Sequence, residues 1–148
     1  MNHNINQLDT NVFIKQLEYI DQNIQELTRL YMLNTPVPER IEDFFNLYVS
    51  ELEAYVESFT QRGVPREIPK VFIGTKVSVL FDGDNDPEVY HICLPKESNP
   101  DEGRISFLSP VGRQLLLRKL GEEVLLRTPS GEVPVRIQQI AFNITLED

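Results

Sequence analysis

The sequence predicts an α+β protein: an N-terminal antiparallel helical hairpin, forming a short coiled coil, then a mainly antiparallel sheet domain with one short helix. Three observations predict it. Two stretches carry apolar residues at alternating spacings of four and three, the period of helices that meet along a narrow seam. A connector with two prolines, which cannot continue a helix, separates them. After Pro69 the pattern changes to β-branched and aromatic runs punctuated by turn-forming clusters. The organisation read from this is 1–68 for the hairpin and 69–148 for the sheet domain.

From Asn11 to Leu33 the seam is Phe13, Leu17, Ile20, Ile24, Leu27 and Tyr31, with Asp9 or Thr10 as the helix cap. The connector is Asn34-Thr35-Pro36-Val37-Pro38-Glu39-Arg40, and Pro38 suits the first turn of the second helix, where a missing N–H costs nothing. The second seam is Phe45, Tyr48, Leu52, Tyr55 and Phe59. A connector this short makes the helices antiparallel, and helices of about 24 residues give an arm of roughly 36 Å. Aromatic rings are bulky for a slim coiled coil, so these faces also leave a homodimer open. Arg62-Gly63-Val64-Pro65 ends the second helix. A plain two-helix layer against the sheet is the competing arrangement.

Lys70–Phe81 and Val89–Leu94 read as strands around the acidic, turn-rich loop Asp82–Pro87, and Arg104–Leu108 as a third. Ser109 is a natural N-cap with Pro110 at the first helical position, and Gly121 follows the helix. Glu123–Arg127 and Glu132–Ile140 form a terminal hairpin around Pro129-Ser130-Gly131.

Composition excludes several function classes. The net charge is −9, with 11 acidic and 5 basic residues in 1–68 and 12 and 9 in 69–148. Binding to free nucleic acid needs clustered Lys and Arg, so a protein partner is expected instead. No apolar run could span a bilayer, the N-terminus does not read as a signal peptide, and one cysteine forms no internal disulfide. A cytoplasmic protein is expected.

Chemistry-bearing clusters are few. Asp82, Asp84 and Asp86 alternate like the start of a calcium loop, but the twelfth position, where a bidentate Glu belongs, is Cys93. A solvated turn is the reading. His91 and Cys93 share a strand face, and His3 is the only other histidine, so a metal site lacks ligands. No nucleophile–base pair and no phosphate loop can be argued. The chain itself is expected not to be an enzyme, to have no catalytic residues and to hold no metal of its own. Glu39, Glu42 and Asp43 lie in the first turns of the second helix, where carboxylates complement the helix dipole.

From Ile105 to Gly131 run a strand, Ser109-Pro110 opening a short helix, Gly112-Arg113, a leucine run, Gly121-Glu122-Glu123-Val124 and a Thr-Pro-x-Gly-Glu hairpin. This order resembles the C-terminal domain of the Gre family (GreA/GreB) of bacterial transcription factors, as do Pro69–Val77 and Asn99–Ser106; the resemblance covers roughly residues 69 to 142. It implies an FKBP-like fold and a partner, RNA polymerase, gripped beside its secondary channel by the loop holding Ser109 and Pro110. Leu108 departs from the polar or acidic residue usual there. In the family, acidic residues at a coiled-coil tip help hold a catalytic magnesium, and Glu39, Glu42 and Asp43 are the candidates here. The family's tip pattern, Asp followed shortly by Glu-Asn, is absent. The short arm is similar to the regulator of nucleoside diphosphate kinase (Rnk), a polymerase-binding relative. The expectation is an accessory factor that modulates elongation at the secondary channel without inducing cleavage. The alternative is a cleavage factor whose tip carboxylates share Mg with the polymerase. Prolyl isomerisation, prompted only by the implied fold, is disfavoured because fold does not carry function.

Overall fold

The computed structural model describes residues 4–62 and 68–142, which divide into two compact units, Met1–Pro65 and Arg66–Asp148. The first is helical: α1 (Asn4–Gln22), α2 (Ile24–Asn34) and α3 (Phe44–Arg62). Asp9 and Thr10 do not cap α1, which already runs through them. The break at Asn23 has a local cause. Its backbone leaves helical values (φ −120, ψ 23), its N–H is shared between Tyr19 O and Ile20 O, and its Nδ2 donates to Tyr19 O at 2.8 Å. Asparagine competes with helical hydrogen bonding in this way.

The seams are buried much as their spacing predicts. Phe13, Ile20, Leu27 and Tyr31 face Phe45, Tyr48, Leu52 and Tyr55, all buried. Leu17 and Ile24 are the exceptions: Leu17 is only half-buried, with Gln16 buried beside it, and Ile24 opens α2 directly after the break and stays exposed. Partners rise in number on one side as they fall on the other. Phe13 meets Tyr55 edge-on, Gln16 accepts a hydrogen bond from the Tyr48 hydroxyl, and Tyr31 stacks on Phe44 at 4.6 Å. The seam aromatics are therefore committed to packing inside the unit. Phe59 as a side chain, and the stop at Gly63–Pro65, lie outside the described residues.

Two expectations about the connector are corrected. Pro38 belongs to a 3₁₀ turn, Val37–Glu39, and not to the helix; α3 starts only at Phe44 and has no acidic residue in its first turn. Tertiary contacts explain the delay. The Tyr31 hydroxyl accepts the Ile41 N–H at 2.8 Å, and the Tyr31–Phe44 stack anchors the first residue of α3. With 19 residues, α3 is roughly 28 Å long, shorter than the predicted arm.

The second unit holds a mixed five-stranded sheet of β1 (Thr75–Phe81), β2 (Glu88–Cys93), β3 (Arg104–Ser106), β4 (Glu123–Thr128) and β5 (Gly131–Phe142), in the order β3-β2-β1-β5-β4. Three pairings are antiparallel and β2–β3 is parallel. The short helix α4 is Pro110–Leu115. The β4–β5 hairpin closes with Thr128 opposite Gly131, as read from sequence. Val77, Val79, Ile92, Val124, Leu126, Val135, Ile137 and Ile140 build the buried face.

Three boundaries differ from the prediction. The run Val71–Ile73 is buried but is not a strand: Gly74 turns the chain with φ 98, and Val71 instead exchanges backbone hydrogen bonds with Leu117 and Arg118. The third strand stops at Ser106, because Ser106 turns into the loop that starts α4. Gly121 does not end the helix. α4 closes at Leu115, Leu117 takes φ 67, and Gly121 (φ 84) serves the turn into β4, its N–H donating to Ile137 O.

Candidate functional site

Ser109 and Pro110 lie in a loop built around one carbonyl, Ser106 O. It accepts the Ser109 N–H at 2.9 Å and the Ser109 hydroxyl at 2.7 Å. The same Ser109 Oγ accepts the Gly112 N–H at 3.1 Å, which makes Ser109 a true N-cap. Ser106 Oγ accepts the Leu108 N–H at 3.0 Å. Gly112 is required by space: a Cβ there would lie 2.2 Å from Ser106 O. Four residues, Ser106, Leu108, Ser109 and Gly112, thus tie strand end, loop and helix start into one piece. Pro110 is exposed at its surface, whereas Phe107 and Leu108 point into the core. Leu108, the departure noted from sequence, is a core residue here.

Behind α4, Gln114 is a buried amide doing backbone work. Its Oε1 accepts the Arg127 N–H at 2.8 Å, and its Nε2 donates to Arg127 O at 3.0 Å and Pro110 O at 2.9 Å. It pairs with the edge strand β4 as a neighbouring strand would. Next along, Glu122 accepts the Lys119 N–H at 2.8 Å and meets Arg118 at 3.0 Å. Its carboxyl sits below the usual value, chiefly because of the Lys119 N–H and then Arg118, with partial burial opposing.

Glu39, Glu42 and Asp43 occupy the connector, not the first turns of α3 as expected. Glu39 ends the 3₁₀ turn, Glu42 is exposed, and Asp43 adopts φ 55 while its carbonyl accepts the Leu47 N–H. Among the described residues no three His, Cys, Asp or Glu side chains converge to hold a metal ion. The structure therefore places the three carboxylates in one segment without bringing them together as a ligand set.

A family model described as "Transcription elongation factor, GreA/GreB, C-term" matches residues 66–142, that is 77 of 148 residues. The chain belongs to this family. GreA of Oceanobacillus iheyensis is 41% identical over 70 residues, covering 47% of this chain and 44% of that protein. GreA of Desulfovibrio desulfuricans is 40% identical over 73 residues, covering 49% and 45%. The matched part thus spans under half the length of those GreA proteins. Among solved structures, GreA/GreB from Nitrosomonas europaea is 22% identical and covers 65% of this chain and 95% of that one, with a TM-score of 0.46. GreA factor homolog 1 of Thermus thermophilus is also 22% identical, with 88% and 93% covered and a TM-score of 0.43.

Within the GreA/GreB match lie Ser106, Ser109, Pro110, Gly112 and Gln114; the connector carboxylates lie outside it. Sequence reasoning found Ser109 and Pro110 but missed the other three. A glycine three residues after an N-cap serine was a usable signal for Gly112, whereas nothing local marks Gln114. The remaining candidates behave as ordinary structure. Asp82, Asp84 and Asp86 are exposed loop residues, and Gly83 (φ 89) makes their turn. Cys93 is buried, its thiol donates to Ile105 O at 3.4 Å, and burial, helped by Glu97, pushes its pKa up to about 11. No helix among the described residues is long and apolar enough to cross a membrane.

Proposed function

We propose that this protein is an accessory transcription factor. It docks on bacterial RNA polymerase beside the secondary channel through the loop Ser106–Gly112, and it modulates elongation without inducing transcript cleavage. Membership of the GreA/GreB family supports the choice of partner, since the matched segment contains the whole loop. The observation that supports the non-cleaving mode is the length of α3, 19 residues or roughly 28 Å, because an arm too short to reach a buried active centre delivers no carboxylates there.

In this reading the paired helices are an antiparallel hairpin, a short coiled coil that enters the channel as an arm, and the sheet is FKBP-like. The arm's shorter strand, α3, gives about 28 Å of paired length. This is a Rnk-like arrangement in which occupancy of the channel, including competition with cleavage factors, produces the effect. The factor is not itself an enzyme, carries no cofactor, does not bind free nucleic acid stably and works in the cytoplasm.

Purified core polymerase and the protein at micromolar concentration test the docking by native gel or interferometry; absence of a complex refutes it. Backtracked complexes incubated with the protein and Mg²⁺ test the mode. No RNA shortening is expected. Shortening that vanishes in Glu42→Ala or Asp43→Ala would replace this reading by the cleavage factor with a shared Mg at the tip.

A further inference from the structure

An antiparallel edge strand turns the hydrogen-bonding groups of every second residue outward. On β4 the phase is fixed by Arg127, whose N–H and carbonyl both leave the sheet to meet the Gln114 amide. Glu123 and Leu125 share that phase. Leu125 stands opposite Pro134, which has no N–H to give, and this agrees with Leu125 turning its own groups away from β5. Among the described residues no backbone group pairs with the outward side of Glu123 or Leu125. The opposite edge of the sheet is closed by the chain itself, because Asn99 exchanges backbone bonds with Arg104 of β3 at 2.8 and 3.1 Å. β4 is therefore the edge at which this sheet can grow.

The order of side chains along β4 says what fits there. Val124 and Leu126 are buried, whereas Glu123, Leu125 and Arg127 are exposed on the other face. Leu125, at 52%, is the most exposed large apolar side chain of the sheet unit. A second β4 laid antiparallel about a two-fold axis at Leu125 sets Leu125 against Leu125 and Glu123 against Arg127, twice over. Opposite charges directly across a ladder favour the pairing. A shift of two residues either way sets Leu125 against a charged side chain, and a shift of one sets buried positions against exposed ones. The strand is thus complementary to itself in one register.

Gln114 stands in the way of that pairing. Its amide holds both backbone groups of Arg127, at 2.8 and 3.0 Å, and is tied back to Pro110 O at 2.9 Å. The symmetric ladder uses Arg127 of each copy opposite Glu123 of the other, so the same side chain blocks both ends.

We infer that β4 is a self-pairing edge, specific for a second copy of this chain in antiparallel register about Leu125, and that Gln114 is the latch that keeps it shut. Sedimentation of the full chain as wild type, Gln114→Ala and Gln114→Ala/Leu125→Lys tests this, with circular dichroism to establish folding. Gln114→Asn, whose amide is too short to span the gap, is measured beside the alanine variant and replaces it should alanine unfold the sheet. The wild type is expected to stay monomeric. The Gln114 variant should self-associate about tenfold more tightly or better, and its amide exchange at Leu125 and Arg127 should slow as protein concentration rises. Lysine at the axis sets like charges face to face and should restore the monomer. A folded Gln114 variant that stays monomeric overturns the inference and shows that α4 as a whole closes the edge. Association that survives Leu125→Lys, or that leaves exchange at Leu125 unchanged, assigns it to another surface and overturns the inference too. A wild type already paired through Leu125 overturns the latch.

Discussion

Replacing Gly112 by alanine tests the loop that carries the proposed docking site. The glycine does not need unusual backbone angles, so the effect is one of space. A Cβ would sit 2.2 Å from Ser106 O, 2.9 Å from Ser109 Oγ and 3.1 Å from the Ser106 carbonyl carbon. Relief requires the carbonyl to retreat by roughly 1 Å, the kind of overpacking that costs about 1–3 kcal/mol. The same carbonyl accepts both the N–H and the hydroxyl of Ser109, and loss of one of these adds about 1 kcal/mol. Alanine regains about 0.5–1 kcal/mol over glycine inside a helix. The net is a loss of about 2 kcal/mol, or a drop of roughly 8–16 °C in the melting of a unit of this size. Gly121→Ala is the comparison: nothing lies within 4 Å of its Cβ, but φ is +84, so strain alone costs about 1 kcal/mol. Differential scanning calorimetry at neutral pH should rank Gly112→Ala clearly below Gly121→Ala. A Gly112→Ala protein as stable as wild type would falsify the close approach of α4 to Ser106, and with it the tying of the loop to the strand end.

Three further outcomes follow from named contacts. Gln114→Ala removes a buried amide that serves both backbone groups of Arg127; a loss of about 2 kcal/mol is expected, with faster hydrogen exchange at the Arg127 amide, and unchanged exchange would refute the strand-like pairing. Glu122 titrates below its ordinary value of 4.5, so its contribution is present above that pH and is lost as pH falls through the lowered folded value. Because the side chain is about a third exposed, the effect stays under about 1 kcal/mol, and Glu122→Gln should flatten this part of an acid titration of stability. Thr35 is 4% exposed and its hydroxyl meets no acceptor or donor among the described residues, so Thr35→Val should add about 1 kcal/mol of stability, read as a higher urea midpoint; a lower midpoint would show that the hydroxyl is bonded.

Legibility of the fold in the sequence tracked how local its causes are. The seam residues were readable because burial repeats with helical period, and Ser109-Pro110 because an N-cap and a proline at the first position act within one turn. Ile24 was misplaced because the register breaks at Asn23, where a side-chain amide takes the Tyr19 carbonyl. The start of α3 was misplaced for a longer-range reason: proline at 38 favours a helix start locally, yet Tyr31, ten residues before Ile41, bonds the Ile41 N–H, and the connector makes only a 3₁₀ turn at Val37–Glu39 before α3 begins. Val71–Ile73 has strand composition but is buried by contact with Leu117 and Arg118, which no local pattern encodes. The same holds for Gln114, whose role depends on an edge strand 13 residues away.

Ser109 was read from sequence as either structural or polymerase-binding, and the hydrogen bonds narrow what it can offer a partner. Its hydroxyl has one proton, donated to Ser106 O, and it already accepts the Gly112 N–H. A partner could use only the remaining lone pair, and pulling on it would loosen the helix cap. Pro110, exposed and fixed at the first helical position, has no such commitment beyond its carbonyl, which Gln114 takes. Contact through this loop should therefore be made by the proline ring and the loop's shape, with Ser109 positioning them. Ser109→Ala would then weaken polymerase binding only through the lost cap, about 1 kcal/mol of loop stability, whereas Pro110 supplies surface that no neighbour replaces. A loop that works by shape also explains why its glycine and its two serines are all committed inward.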